Sequence, residues 1–151
     1  MKNNEIFKVD YSVGLKHRVN IPKHALQYTF NKKANNVKWI LSDASHFTPS
    51  EKYDFWHDRA AFHFLTDEQE INDYLQIAHK NINPAGVFVL GTFSDKGPKK
   101  CSGIEIKQYS EETMNNMLTK YFNKVKCISV NHTTPSDTIQ NFIFCSFKNK
   151  Q

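Results

Sequence analysis

Tyr53-Asp54-Phe55-Trp56-His57-Asp58-Arg59-Ala60-Ala61-Phe62-His63-Phe64-Leu65-Thr66 changes character part-way along. Tyr53 to Trp56 is rich in aromatics and reads as a strand, and His57-Asp58-Arg59 reads as its polar end. Two other strand candidates close in the same way. Val37-Lys38-Trp39-Ile40-Leu41 runs into Ser42-Asp43. Arg18-Val19-Asn20-Ile21 runs into Pro22, a suitable first residue for a helix to about Phe30. In an open α/β sheet, ligands bind just beyond the carboxyl ends of the strands.

A helix follows the quoted stretch. Thr66 with Gln69 predicts a capping box, and Asp67 and Glu68 place negative charge in the first turn. Ile71, Tyr74, Leu75 and Ala78 recur at i, i+3, i+4 and i+7, which predicts one buried face. Asn83-Pro84-Ala85-Gly86 is expected to stop the helix. Val87 to Phe93 then runs apolar without alternation, as a parallel strand covered on both faces does. A second helix is expected from Ser110, with Met114, Met117, Leu118 and Tyr121 on one face. Residues 125–130 and 139–147, joined by the turn-rich 131–137, predict an antiparallel pair. The fold class is therefore α/β, a mostly parallel sheet with an antiparallel carboxyl-terminal strand pair.

Composition narrows the function. The 151 residues carry 20 Lys and Arg against 15 Asp and Glu, for a net charge of +5. With 39% apolar residues, 1–151 reads as one folded domain and not as a disordered tail. The lysines are scattered, so a nucleic-acid partner is not expected. No run of 18 apolar residues suggests a membrane span, and the opening MKNNEIFKVDYSVG lacks the apolar core of a secretory signal. Cys101, Cys127 and Cys145 form no C-x-x-C pair, which argues against a disulfide scaffold, a zinc ribbon or any other metal site. Reduced thiols in a cytoplasmic protein are the expectation, with Cys127 and Cys145 packed in strands.

Several segments, taken in order, carry a resemblance. They are 53–66; Asn83-Pro84-Ala85-Gly86-Val87-Phe88-Val89-Leu90; Gly97-Pro98-Lys99-Lys100-Cys101-Ser102-Gly103 with Tyr109-Ser110; and His132-Thr133-Thr134-Pro135 with Gln140-Asn141-Phe142. Together they resemble a small-molecule branch of the class I S-adenosylmethionine-dependent methyltransferases, over residues 19–148. The resemblance implies a Rossmann-like sheet, S-adenosylmethionine as cofactor and a small molecule as methyl acceptor. Val19 to Leu26 looks like the family's second strand and helix. Asn20 then stands where the family has the acid that takes both ribose hydroxyls, and an amide offers one acceptor oxygen where a carboxylate offers two. By the same resemblance Asp43 lies near the adenine amino group, and Ala44 lends the ring its backbone N–H. His57 and Asp58 are the implied contacts at the methionine end, with Arg59, His63 and Cys101 on the substrate side. The bland alternatives are a solvated loop at 57–59 and a packed core histidine at position 63. No catalytic residue is implied.

The family's first strand and its G-x-G-x-G turn find no counterpart before Val19, where Gly14 is the one glycine. Residues 1–18 are thus expected to be an atypical segment on a truncated domain, with weak or absent cofactor binding. Phe7, Val9, Tyr11 and Val13 alternate with polar residues, as an edge strand with one wet face does. An unfilled sheet position would favour self-association. Two functions follow: a methyltransferase of a small molecule, impaired in cofactor binding, or a non-catalytic remnant serving as an interaction module.

Overall fold

The computed structural model describes residues 6–11, 37–42, 44–59 and 61–150. The strand expected at Arg18 to Ile21, the helix after Pro22, and the site positions Asn20 and Asp43 lie outside the described residues. The chain divides into two units, Met1–Ala44 and Ser45–Gln151.

In the first unit, β1 (Ile6–Tyr11) and β2 (Val37–Ser42) run parallel. Ile6 lies opposite Val37 and Tyr11 opposite Ser42, so the two strands end level, with Asp10 beside Leu41. The alternation from Phe7 to Tyr11 does form a strand.

The second unit holds β3 (Tyr53–Arg59), α1 (Glu68–Asn81), β4 (Ile82–Phe93), a short hairpin of β5 (Lys100–Cys101) and β6 (Ile104–Glu105), α2 (Glu111–Leu118), β7 (Phe122–Thr133) and β8 (Ile139–Asn149). Its main sheet has the order β3-β4-β8-β7. β3 and β4 are parallel, whereas β8 is antiparallel to both β4 and β7. The antiparallel pair therefore sits at one end of the sheet, with the last strand inserted between β4 and β7.

α1 buries Ile71, Tyr74, Leu75 and Ala78, the face its periodicity predicts. Its cap differs from the sequence reading. Asp67, not Thr66, accepts from the backbone N–H groups of Gln69 (2.9 Å) and Glu70 (3.1 Å). A carboxylate there also complements the positive end of the helix dipole. The segment 83–86 does not form a separate turn. β4 begins at Ile82, directly after the helix, and the tetrapeptide breaks the register with β3 between Tyr53 and Phe55. Ala85 takes the strained φ of 61° within that irregularity. α2 is capped by Ser110 in a reciprocal box with Thr113. It ends at Leu118, so Tyr121 is buried from the turn beyond the helix.

Phe88, Leu90, Ile143, Cys145 and Phe147 form the buried centre, with Tyr74 and Phe122 packed on Phe88 at ring distances of 6.4 and 5.1 Å. Each such side chain contributes about 1.5–3 kcal/mol on burial. Cys127 and Cys145 lie directly opposite in the β7–β8 register, their Cα atoms 4.1 Å apart, and are joined by a disulfide. This corrects the expectation of reduced thiols: cross-strand register, which the separate strand patterns do not reveal, sets the two side by side. Cys101 remains free. Among the described residues no helix is long and apolar enough to cross a membrane.

Candidate functional site at the carboxyl ends of β3 and β4

Asp58 pairs with Leu90 and Arg59 with Gly91, so β3 ends beside β4, which runs on to Phe93. His57-Asp58-Arg59 is not a loop but the final part of β3. Strand alternation then decides which side chains face inward. His57 and Arg59 are exposed, whereas Asp58 is only 1% exposed. The His57 ring stacks on Phe55 at 6.1 Å.

The Asp58 carboxylate shapes the turn that leaves β3. Its Oδ1 accepts from the backbone N–H groups of Ala61 (3.2 Å) and Phe62 (3.1 Å), which fixes the 3-10 turn Phe62–Phe64. Its Oδ2 accepts from Tyr74 Oη at 2.8 Å. Burial holds its pKa above the ordinary carboxylate range, against the opposing pull of the Tyr74, Phe62 and Ala61 hydrogen bonds and the nearby His57. Asp58 is thus engaged on both oxygens inside the protein.

That turn delivers His63 to the end of β4. The ring is fully buried and lies 4.9 Å from Phe93, within 13° of parallel. The backbone continues the link, since Lys107 N donates to His63 O at 2.8 Å. Burial pulls the His63 pKa down to about 4, so the imidazole is neutral near pH 7. Tyr109 arrives from the other side. Its backbone N–H donates to Phe93 O (3.2 Å), and its ring packs on Phe62 at 5.5 Å. Burial, and then the charge of Glu68, raise its phenol pKa.

His63 Nδ1, His63 Nε2 and Tyr109 Oη are buried without a hydrogen-bond partner. A buried polar group left unpaired costs about 1–3 kcal/mol. The three atoms belong to residues fastened to one strand end and one turn.

The connection from β4 to α2 is held by backbone and side-chain hydrogen bonds. Ser94 N donates to Asn141 O at 3.0 Å and Ser94 Oγ bonds Asn141 Oδ1, while Gln108 Nε2 donates to Gly97 O at 2.6 Å. On this connection the β5–β6 hairpin turns through Ser102 (φ 51°) and Gly103 (φ 82°), a left-handed pair. Cys101 sits there as a free, half-buried thiol. A separate open groove of about 440 Å³ lies between Ser45–Pro49 and α1, and it includes neither His63 nor Tyr109.

In the amino-terminal unit, Asp10 occupies the penultimate position of β1, near the carboxyl ends of a parallel pair. Ala44 is buried and opens the 3-10 turn Ala44–His46. Sequence reading did not single out the Tyr109 side chain. Nothing in the sequence marked the Tyr109 hydroxyl as unpaired.

No family model and no curated protein matches this chain. Solved structures do. The N-methyltransferase NodS from Bradyrhizobium japonicum WM9 superposes with a TM-score of 0.64 at 18% identity, over 84% of this chain and 66% of that one. The 1,6-didemethyltoxoflavin-N1-methyltransferase of Burkholderia thailandensis, solved with its substrate and S-adenosylhomocysteine, gives 0.70 at 14% identity, over 97% and 62%. TehB from Haemophilus influenzae gives 0.68 at 16%, over 97% and 50%. The fold is that of the class I S-adenosylmethionine-dependent methyltransferases. The chain spans from half to about two thirds of the length of these structures. In this methyltransferase fold the expected sheet is present in its mixed form, with β3 and β4 parallel and β7 and β8 antiparallel.

Proposed function

We propose that the chain takes part in transfer of a methyl group from S-adenosylmethionine to a small molecule. The observation that carries this reading is the set of buried, unpartnered polar atoms on His63 and Tyr109 at the carboxyl ends of parallel strands. Two of the similar structures were solved with S-adenosylhomocysteine, one of them also with a small-molecule substrate. S-adenosylmethionine supplies a methyl group on a sulfonium centre.

The chain's own residues position and desolvate. With a pKa near 4, His63 is a poor proton acceptor for catalysis. Its role is to accept a hydrogen bond from the methyl acceptor, with its ring orientation fixed by Phe93. Tyr109 Oη donates to the same molecule. This suits an acceptor that needs no strong base, such as a thiol or a ring nitrogen, for which alignment supplies most of the acceleration. Arg59 and Cys101 are the remaining proposed substrate contacts, the first exposed and the second on the hairpin. For the cofactor, Asn20 stays the proposed ribose contact, an amide offering one acceptor oxygen. Asp43 and Ala44 stay assigned to adenine, and His57 to the methionine end.

The five glycines of the chain, at 14, 86, 91, 97 and 103, include no G-x-G-x-G. The reading therefore includes weak cofactor binding by this chain alone. Titration calorimetry with S-adenosylhomocysteine tests it, alongside methyl transfer to a panel of thiols and N-heterocycles. Weak binding that Asp43→Ala abolishes, together with transfer that His63→Ala reduces, supports the reading. No heat at millimolar ligand and no transfer support the non-catalytic remnant instead.

A further inference from the structure

Between Ser94 and Tyr109 the chain leaves the main sheet and returns to the point where it left. Ser94 and Tyr109 form a parallel bridge. Tyr109 N–H donates to Phe93 O at 3.2 Å, and Asp95 N–H donates to Tyr109 O at 3.2 Å. Tyr109 is therefore seated by the backbone on either side of Ser94. The returning limb of this strap also presents Lys107 N–H to His63 O at 2.8 Å. It thus holds one of the residues with unpartnered buried atoms, His63, and contains the other, Tyr109.

Asn141, near the start of β8, holds Ser94 twice. Its backbone O accepts from Ser94 N at 3.0 Å, and its Oδ1 accepts from the Ser94 hydroxyl. Ser94 is buried, and its Oγ accepts in turn from Lys96 N at 3.0 Å. On the far side, Asn141 Nδ2 donates at 2.6 Å to the Oδ1 of Asn131, its register partner on β7. A side-chain amide can accept on one side and donate on the other at the same time. The departing limb presses against Asn141 as well, at Gly97, where an added Cβ would stand 2.5 Å from Asn141 O. Gln108 Nε2 donates to Gly97 O at 2.6 Å and so ties this limb to the returning one.

Asn141 makes no hydrogen bond to Tyr109 or His63 among the described residues; it reaches Tyr109 through Ser94. In a close-packed interior a shift of Ser94 is passed to the backbone bridged to it. We infer that Asn141 is a positioning residue for the methyl acceptor: it sets Ser94, and through Ser94 the place of the Tyr109 hydroxyl. The inference rests on the acceptor contacts proposed for His63 and Tyr109. The proposed cofactor contacts Asn20, Asp43, Ala44 and His57 lie outside the strap, so acceptor and cofactor should respond differently.

The test uses the full chain, S-adenosylmethionine as donor and the best acceptor from a panel of thiols and N-heterocycles. Asn141→Ala should raise KM for the acceptor about tenfold (~1.4 kcal/mol), with kcat and S-adenosylhomocysteine affinity unchanged. Asn141→Asp still accepts from the Ser94 hydroxyl, and Asn131 can turn its Nδ2 toward the carboxylate, so KM should return close to the wild-type value. Asn131→Ala, at an exposed position, removes only the far bond and should raise KM about threefold (~0.7 kcal/mol); it carries the comparison if Asn141→Ala does not fold. Combined with Tyr109→Phe, Asn141→Ala should add no further rise, since both act on one contact. In fluorotyrosine-labelled protein the Tyr109 resonance, assigned by its loss in Tyr109→Phe, should shift in Asn141→Ala and return in Asn141→Asp. An unmoved resonance, additive KM effects in the double variant, or an equal loss of S-adenosylhomocysteine affinity would overturn the inference while leaving the acceptor reading in place. A wild-type chain that transfers no methyl group would remove that reading, and this inference with it.

Discussion

Tyr74 Oη donates to Asp58 Oδ2 at 2.8 Å and accepts from Trp56 Nε1 at 3.1 Å, so one hydroxyl ties the buried face of α1 to the end of β3. Tyr74→Phe leaves a buried carboxylate oxygen and a buried indole N–H each short of this partner. Each deficit costs about 1–3 kcal/mol, so the variant should lose about 2–6 kcal/mol in urea denaturation at unchanged m-value. A loss within experimental error would show that the hydroxyl does not hold these elements together.

The acid limb of stability should carry the signature of His63. Its folded pKa, about 4, is depressed below the ordinary 6.5. The neutral form is favoured by folding, so this contribution is present above pH 6.5 and disappears as the pH falls to 4. The shift corresponds to about 3 kcal/mol. Asp58 acts with the opposite sign. Its raised pKa means the folded state gains a proton more readily than the unfolded chain, so stability from this group is greatest in acid and is lost as the pH rises. His63→Phe should therefore flatten the decline between pH 6.5 and 4, and Asp58→Asn should steepen it. Unfolding free energies measured at half-unit pH intervals read both, and parallel curves for wild type and His63→Phe would contradict the assignment.

These two residues also show how far sequence carries the site. The stretch 53–66 correctly placed polar side chains at a strand's carboxyl end, because aromatic-to-polar transitions and helix periodicity are local signals. Whether Asp58 faced solvent or the core depended on the strand continuing to Arg59, and alternation then turned the carboxylate inward. Long-range facts were not legible: the insertion of β8 between β4 and β7, the pairing of β1 with β2, and the cross-strand meeting of Cys127 and Cys145. Each depends on register between segments that carry no mark of their partner.

The Cys127–Cys145 disulfide spans 18 positions. Closing a loop of that order in the unfolded chain is worth about 3 kcal/mol in the chain-entropy view. Reduction should lower the unfolding free energy by about 2–3 kcal/mol, and Cys127→Ser should show the same loss without further response to reductant. Alkylation under denaturing conditions supplies the direct count. Cys101 alone should be modified before reduction, and all three cysteines after it. Three modified cysteines without reductant would remove the bridge from the account.

Tyr109 separates a ligand-facing role from a structural one. Its hydroxyl is buried and unpartnered, so within the protein alone it is a liability. Tyr109→Phe keeps the ring against Phe62 and removes the unpaired group, and stability should hold or rise by up to about 1 kcal/mol. If the hydroxyl donates to the methyl acceptor, the same variant loses one neutral hydrogen bond, about 0.5–1.5 kcal/mol, and KM for the acceptor rises by up to about tenfold. Affinity for S-adenosylhomocysteine should not change, because the cofactor contacts are assigned elsewhere. A merely structural tyrosine predicts the reverse pattern: stability falls and acceptor KM stays where it was. Thermal denaturation and steady-state kinetics on this one substitution therefore decide whether the orphaned atoms at the end of β4 serve the acceptor.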